Sequence, residues 1–407
     1  MYSLHLTPEQ IEIRDMVRDF ATKEIKPIAE KPARMEATDR SPIASVLAQA
    51  AELGLKTLAL PEDMGGAGAD ALTLAIVAEE LGFGDPDTAS ILAETSLVAR
   101  AVFGELATAE QRTLWLPKLT DDAQAQLAWA RGLGSSEIGI NYHRPQATAH
   151  ATITAVRTGN HYVLNGVSRG VLNAPVASLV VVSASTDAKS KRPTGKIGGM
   201  IALVVPRGAD GMTVKPLVQG RFVGQAGDVV LRDCKVPADH LLGGADGVAA
   251  GKALARLDAV PVRQALNLAI GRSAFETAID YAKLRVQGGR PIIEHQAIAE
   301  KLADAAVRLE TARMAIWAAA WTADHPEAVS DRSVSGLPLA TIAHLHTAEQ
   351  IYRVAKDCAE CFGAMSVMRD MPLHKFVEDA RRCLHSAGGL AEHKFALAEA
   401  IAGFRRE

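Results

Sequence analysis

Through the first 118 positions apolar residues recur at three- and four-residue spacing, which predicts helices. Thr7-Pro8-Glu9-Gln10 has the form of a helix start, with a hydroxyl cap, a proline at the first position and an acid in the first turn. Ile11, Val17 and Phe20 continue one apolar face. A second helix ends at Leu53, before Gly54. Residues 55–60 are a short apolar run, 61–68 a loop rich in Pro and Gly, and 72–82 a further helix closing on Gly82. Near Gln124 the period shortens and β-branched residues gather. Strands are expected at 148–158, 162–164, 179–183, 200–205, 212–216 and 228–236, separated by turn pairs such as Gly159-Asn160 and Asn165-Gly166. Residues 189–199, basic and containing Gly and Pro, read as a hairpin tip. From about Ala249 the pattern returns to helix, with spans expected at 248–285, 293–322, 338–362, 373–384 and 391–404. Helices, then strands, then helices argue for an α+β fold rather than an alternating parallel sheet. The expected domains are 1–123 (helical), 124–245 (β) and 246–407 (helical bundle).

The 407 residues suffice for two or three domains with substantial cores. A chain 48% hydrophobic but only 4% aromatic, and rich in Ala, favours close helix packing. The formal net charge of -3 implies no general affinity for nucleic acid or anionic membrane. No apolar run approaches a membrane span, and the first ten residues lack the form of a secretory signal. Four cysteines are too few for a disulfide framework in a chain this long, so a reducing cytoplasmic setting is expected. Cys358-x-x-Cys361 has no second cysteine pair nearby, so the two read as buried thiols and no metal site is expected.

An ordered set of motifs resembles the acyl-CoA dehydrogenases along nearly the whole chain. It begins with Leu60-Pro61-Glu62-Asp63-Met64-Gly65-Gly66-Ala67-Gly68 and Glu79-Glu80-Leu81. Leu116-Pro117-Lys118-Leu119, Tyr162-Val163-Leu164-Asn165-Gly166 and Val236-Pro237-Ala238-Asp239-His240-Leu241-Leu242-Gly243 follow. Arg285-Val286-Gln287-Gly288-Gly289-Arg290-Pro291-Ile292 and Pro372-Leu373-His374-Lys375-Phe376-Val377-Glu378-Asp379-Ala380-Arg381 complete it. The resemblance implies a helical N-terminal domain, a middle β domain and a C-terminal four-helix bundle that forms dimers or tetramers. It also implies FAD as cofactor and α,β-desaturation of an acyl-CoA substrate. That reaction needs a base at the α-carbon and hydrogen bonds to the developing enolate oxygen, while flavin takes the hydride.

The departures from the family pattern are unevenly distributed. The family's usual base, the Glu of E-G-T-x-[QE]-I, falls on Ala387 or, with one extra residue, on Gly388; neither takes a proton. In the resemblance, one subunit holds the flavin ring with its middle strands and supplies the base. Trp129 stands where a flavin-bonding Thr is usual, Gly170 where an aromatic stacks on the flavin, and Leu172 where a hydroxyl approaches N5; Ser135 is retained. Trp129 filling the space above Gly170 is one rescue; simple repacking of a vacated site is the other reading. The neighbouring subunit, in the same resemblance, lends an Arg and a Gln-x-x-Gly-Gly segment to the far end of FAD. Here Arg285 and Gln287 are kept, Gly288 replaces the usual Phe, and Glu360 with Gly363 stands in the Gln segment. Some relatives carry their base on the first helix of the third domain, at a position that falls on Ala259. Asp258 beside it serves only if the register shifts by one residue, and otherwise reads as a solvated acid. Glu392, His385 and His393, near the lost base in sequence, read as surface or bundle residues.

Three functions are compatible with this pattern. The first is an acyl-CoA dehydrogenase with a non-standard base. The second is a degenerate subunit of a heteromeric dehydrogenase that pairs with an intact partner subunit. The third is a flavoenzyme of the same fold running another reaction, of desulfinase or monooxygenase type. Loss of a subunit's own flavin groups alongside partial retention of the lent ones favours the second.

Overall fold

The computed structural model describes residues 5–35, 42–132, 151–186, 200–217, 224–245, 247–329, 337–385 and 390–402. The N-terminal helices are α1 (Pro8–Phe20), α2 (Lys26–Ala29), α3 (Pro32–Met35), α4 (Ala44–Glu52), α5 (Ala71–Gly84), α6 (Pro86–Ala99) and α7 (Ala109–Thr120). The middle strands are β1 (Gln126–Ala130), β2 (Ile153–Thr158), β3 (His161–Leu172), β4 (Ala177–Ser185), β5 (Met200–Pro206), β6 (Met212–Pro216), β7 (Ala226–Pro237) and β8 (Leu241–Leu242). The C-terminal part holds α8 (Val248–Ala259), α9 (Val262–Leu284), the hairpin β9 (Val286–Gln287) and β10 (Arg290–Pro291), α10 (Gln296–Asp324), α11 (Leu339–Glu360), α12 (Leu373–Leu384) and α13 (Leu390–Ala402). This is the expected α+β plan: helices, a mixed sheet, helices.

The caps explain several boundaries. Thr7 and Gln10 form a reciprocal capping box that starts α1, and Thr108 with Gln111 does the same for α7. The single helix expected over 248–285 is two. Pro261 offers no amide to the preceding turn, and Val260 before it is extended, at φ -77° and ψ 120°. β3 runs twelve residues where a shorter strand was expected, and β1 was not anticipated as a strand at all. β1 is buried along its whole length, so it lacks the in–out alternation that marks a half-exposed strand.

The sheet runs β6-β7-β3-β2-β4-β5-β8, with β1 parallel to β4 along one side. Its own core gathers Ile153, Leu164, Val182, Leu203 and Leu231, all nearly or fully buried. In the C-terminal part α9, α10, α11 and α12 pack together, and α5 lies across α9. α5 is buried on every face, so its two acids must be paired inside. Glu80 accepts a fork from Arg18 (3.0 and 2.7 Å) and a bond from Arg272 (2.9 Å); Glu79 accepts a fork from Arg313 (3.2 and 2.7 Å). These pairs tie α1, α5, α9 and α10 into one body.

The Asp-Ala-Arg signature has a structural role here. Asp379, fully buried, accepts from Lys375 (2.7 Å) and Arg382, while Lys375 also lies 3.6 Å from Asp85, the N-cap of α6. α12 is thereby pinned to the start of α6. Cys358 and Cys361 are buried at the end of α11, and burial pushes both thiols up. Among the described residues, no helix is long and apolar enough to cross a membrane.

Candidate active site

A cleft of about 420 Å³ opens where the three parts of the chain meet. α6 contributes Ala93, Glu94 and Leu97. The strand ends contribute Arg131, just after β1, and Leu172, at the end of β3. α8 and the start of α9 bring Leu257, Asp258, Arg263 and Gln264, and α11 and α13 bring His344 and His393. Its size suits a small organic ligand. The position expected for the family's base, Ala387 or Gly388, lies outside the described residues. Ser135 also lies outside them.

Trp129 does not occupy the space beside Gly170. Its indole is buried in the helical core, and Nε1 donates to Ser183 Oγ at 2.7 Å. Gly170 sits at φ +63° in a bulge of β3 against β7, its amide donating to Asp228 Oδ1 at 3.0 Å. A Cβ built there meets no described atom within 4 Å. The left-handed backbone disfavours a bulky residue at this point whatever the room available. Leu172 reaches the cleft with a side chain that has no hydrogen-bonding group.

Asp258 is at the cleft edge, as its place at the end of α8 allows. Both of its oxygens accept from the fork of Arg131, across the boundary between sheet and bundle. Two residues that sequence reasoning passed over, Glu94 and His344, stand deeper in the same cleft. Glu94 is buried on α6, and its nearest cation is Arg263 at 3.9 Å. His344 is buried against His393 (ring centroids 4.3 Å), and its Nε2 has no hydrogen-bond partner. Burial, then the charges of His393 and Arg263, lower the His344 pKa to about 4, so the ring is neutral near pH 7. Glu94 was visible in sequence as the one charge in α6 beyond Asp87 of its first turn.

Arg285, Gln287, Glu360 and Gly363 gather at the opposite end of the bundle. α9 and α11 start together at the cleft, where Gln264 reaches the Ala340 carbonyl (3.5 Å). They end together where Tyr281 stacks on Phe362 (4.0 Å). Arg285 caps α9 and is exposed, with no carboxylate paired to it among the described residues. Gln287 lies in the β9–β10 hairpin, whose turn residues Gly288 and Gly289 have φ of +60° and +82°. His295 holds this turn through the Gln287 carbonyl (2.9 Å). Glu360 is exposed and accepts from Lys301 (2.6 Å), which holds its carboxyl below the usual range. Gly363 follows α11 with φ +56°.

Sequence profiles agree with this architecture. The acyl-CoA dehydrogenase N-terminal domain matches residues 7–123, and the acyl-CoA dehydrogenase C-terminal domain matches residues 261–397. A probable acyl-CoA dehydrogenase of Bacillus subtilis is 32% identical over 388 residues, covering 93% of this chain and 94% of that protein. This chain belongs to the acyl-CoA dehydrogenase family. Another relative is the short-chain specific acyl-CoA dehydrogenase of Clostridium acetobutylicum, 30% identical with 93% of each chain covered. Among solved structures, butyryl-CoA dehydrogenase from Megasphaera elsdenii superposes with a TM-score of 0.81, covering 98% of this chain and 100% of that one at 23% identity. The FAD complex of PigA also superposes at 0.81, covering 98% and 99% at 20% identity.

Against the acyl-CoA dehydrogenase pattern, the described residues at the flavin-ring positions do not fit an isoalloxazine. The Trp129 N–H is already satisfied, Gly170 offers no ring, and Leu172 offers no hydroxyl. The far end of the bundle differs. Arg285 presents an exposed, uncommitted guanidinium, which suits an anionic group from another molecule.

Proposed function

We propose that this acyl-CoA dehydrogenase-like chain is a subunit of a heteromeric dehydrogenase acting on acyl-CoA thioesters. In this reading it does not build a flavin-ring site of its own. It lends Arg285 and the adjacent hairpin to FAD held by an intact partner subunit. The observation that carries the reading is the sorting of the two sets. The ring-side positions are committed elsewhere or stripped of hydrogen-bonding groups, while Arg285 at the opposite end is exposed and uncommitted. Ala387 and Gly388 add to it, since neither side chain accepts a proton. No desaturation step is assigned to this chain's own residues.

The test is the flavin content of the chain purified alone and co-purified with an acyl-CoA dehydrogenase homologue encoded beside it. The lone chain is expected to be colourless and the complex yellow. Arg285→Ala is expected to lower flavin occupancy of the complex without preventing assembly. A lone chain carrying one FAD and desaturating an acyl-CoA overturns the proposal. A lone chain that keeps flavin but does not oxidise acyl-CoA points instead to another reaction on the same fold.

A further inference from the structure

One buried polar atom at the cleft, His344 Nε2, is left without a hydrogen bond, and the Glu94 carboxylate in the same wall is met only by a long ion pair. Among the described residues the Glu94 carboxylate accepts none, its closest cation being Arg263 at 3.9 Å. His344, 8% exposed, has an unpartnered Nε2. Buried polar groups are nearly always paired, so the orphaned His344 Nε2, with the Glu94 carboxylate lining the same 420 Å³ cleft, marks stations for a ligand's polar atoms.

The chemistry of the stations narrows the ligand. A carboxylate only accepts, so Glu94 asks for a donor. A neutral imidazole nitrogen either donates or accepts, according to tautomer. An ammonium group would satisfy Glu94, but the Arg263 charge beside it already balances the carboxylate and repels a second cation. A ligand carboxylate would meet Glu94 unfavourably. A hydroxyl serves both stations, because it donates to the carboxylate and matches either tautomer of the ring. Leu97, Leu172, Leu257 and Leu266 give the wall an apolar part that suits a hydrocarbon frame, while the Arg131–Asp258 pair and Gln264 line its polar edge.

We infer that this cleft selects an acyl group carrying one or more hydroxyls on an apolar skeleton, over a plain alkyl chain of the same length. This rests on reading the cleft as the acyl site of an acyl-CoA dehydrogenase-like chain. It does not require that the chain turn the ligand over.

The test is equilibrium binding of octanoyl-CoA and of octanoyl-CoA thioesters hydroxylated at different carbons, to the full chain alone and in its complex. At least one hydroxylated thioester is expected to bind about tenfold tighter than octanoyl-CoA, the size of one hydrogen bond to a charged acceptor. Glu94→Leu and His344→Phe are each expected to shrink that preference severalfold. Glu94→Gln, close in shape to the native side chain, is expected to shrink it by a smaller factor; it keeps the test open if the Leu variant does not fold. Tightest binding by octanoyl-CoA, an unchanged preference in the variants, or no binding of any thioester overturns the inference. None of these outcomes depends on flavin colour, so the inference and the proposed function fail separately.

Discussion

His344 makes folding stability depend on pH in a way that one substitution removes. Its ring lies buried against His393 and within reach of the Arg263 charge, so protonating it in the folded state is opposed first by burial and then by the electrostatics of these neighbours. The folded pKa is lowered from 6.5 to about 4. In the unfolded chain the ring takes a proton near its ordinary pKa, so below it the unfolded state binds more protons than the folded one. Stability is therefore lost as pH falls from 6.5 toward 4, and the loss levels off below that. At ~1.4 kcal/mol per pH unit the total is capped near ~3 kcal/mol, and by pH 5 it amounts to about 2 kcal/mol. His344→Phe keeps a ring of similar size and removes the titration. The measurement is urea unfolding of the wild type and His344→Phe at pH 7.5 and pH 5.0. The variant is expected to gain about 2 kcal/mol on the wild type between the two conditions, while groups shared by both proteins cancel. An unchanged difference between the two proteins at both pH values would refute the placement of His344 as a buried, neutral ring.

Other buried groups lead to simpler expectations. Arg272→Met leaves Glu79 and Glu80 short of one cation inside the α5–α9 contact. Because Arg18 and Arg313 remain, the loss should lie near the low end for a broken buried pair, about 3 kcal/mol by urea unfolding. Lys56→Met strips three carbonyls, those of Leu119, Asp122 and Ala125, of their ammonium donor; thermal unfolding should show a loss of about 1–3 kcal/mol. Trp129→Phe removes the bond to Ser183 and should cost about 1–2 kcal/mol, with the flavin content of the co-purified complex unchanged. A drop in flavin there would return the indole to the cofactor.

The order of helices and strands was legible because amphipathic period and capping chemistry are local. Thr7 with Gln10 and the α12 span are cases where neighbouring residues alone decide the boundary. β1 escaped because both of its faces are covered, which erases alternation, and the α8–α9 break escaped because Ala-rich helix pattern continues across Pro261. The site was harder to read. That Gly170 lies in a bulge with left-handed backbone depends on pairing with β7, a contact over fifty residues away in sequence. That His393 faces His344 depends on how α13 returns to α11, so the sequence offered only a histidine on a late helix.

The separation of the two residue sets bears on assembly. α9 has 23 residues and so is about 34 Å long; Gln264 near its start lines the cleft and Arg285 caps its end, roughly 30 Å apart. The cleft and the Arg285 end therefore do not meet within one chain. A molecule that contacts Arg285 and also lies along a middle-domain cleft must be reaching the cleft of a different subunit. In the proposed assembly the loss of ring-side groups and the retention of Arg285 affect different sites: the first concerns this chain's own cleft, the second its neighbour's. In a homo-oligomer the two would be the same site repeated, and keeping Arg285 exposed would serve a cleft whose flavin-ring groups are already gone. In a hetero-oligomer, Arg285 serves an intact partner, and its retention has a use that the degraded cleft does not remove.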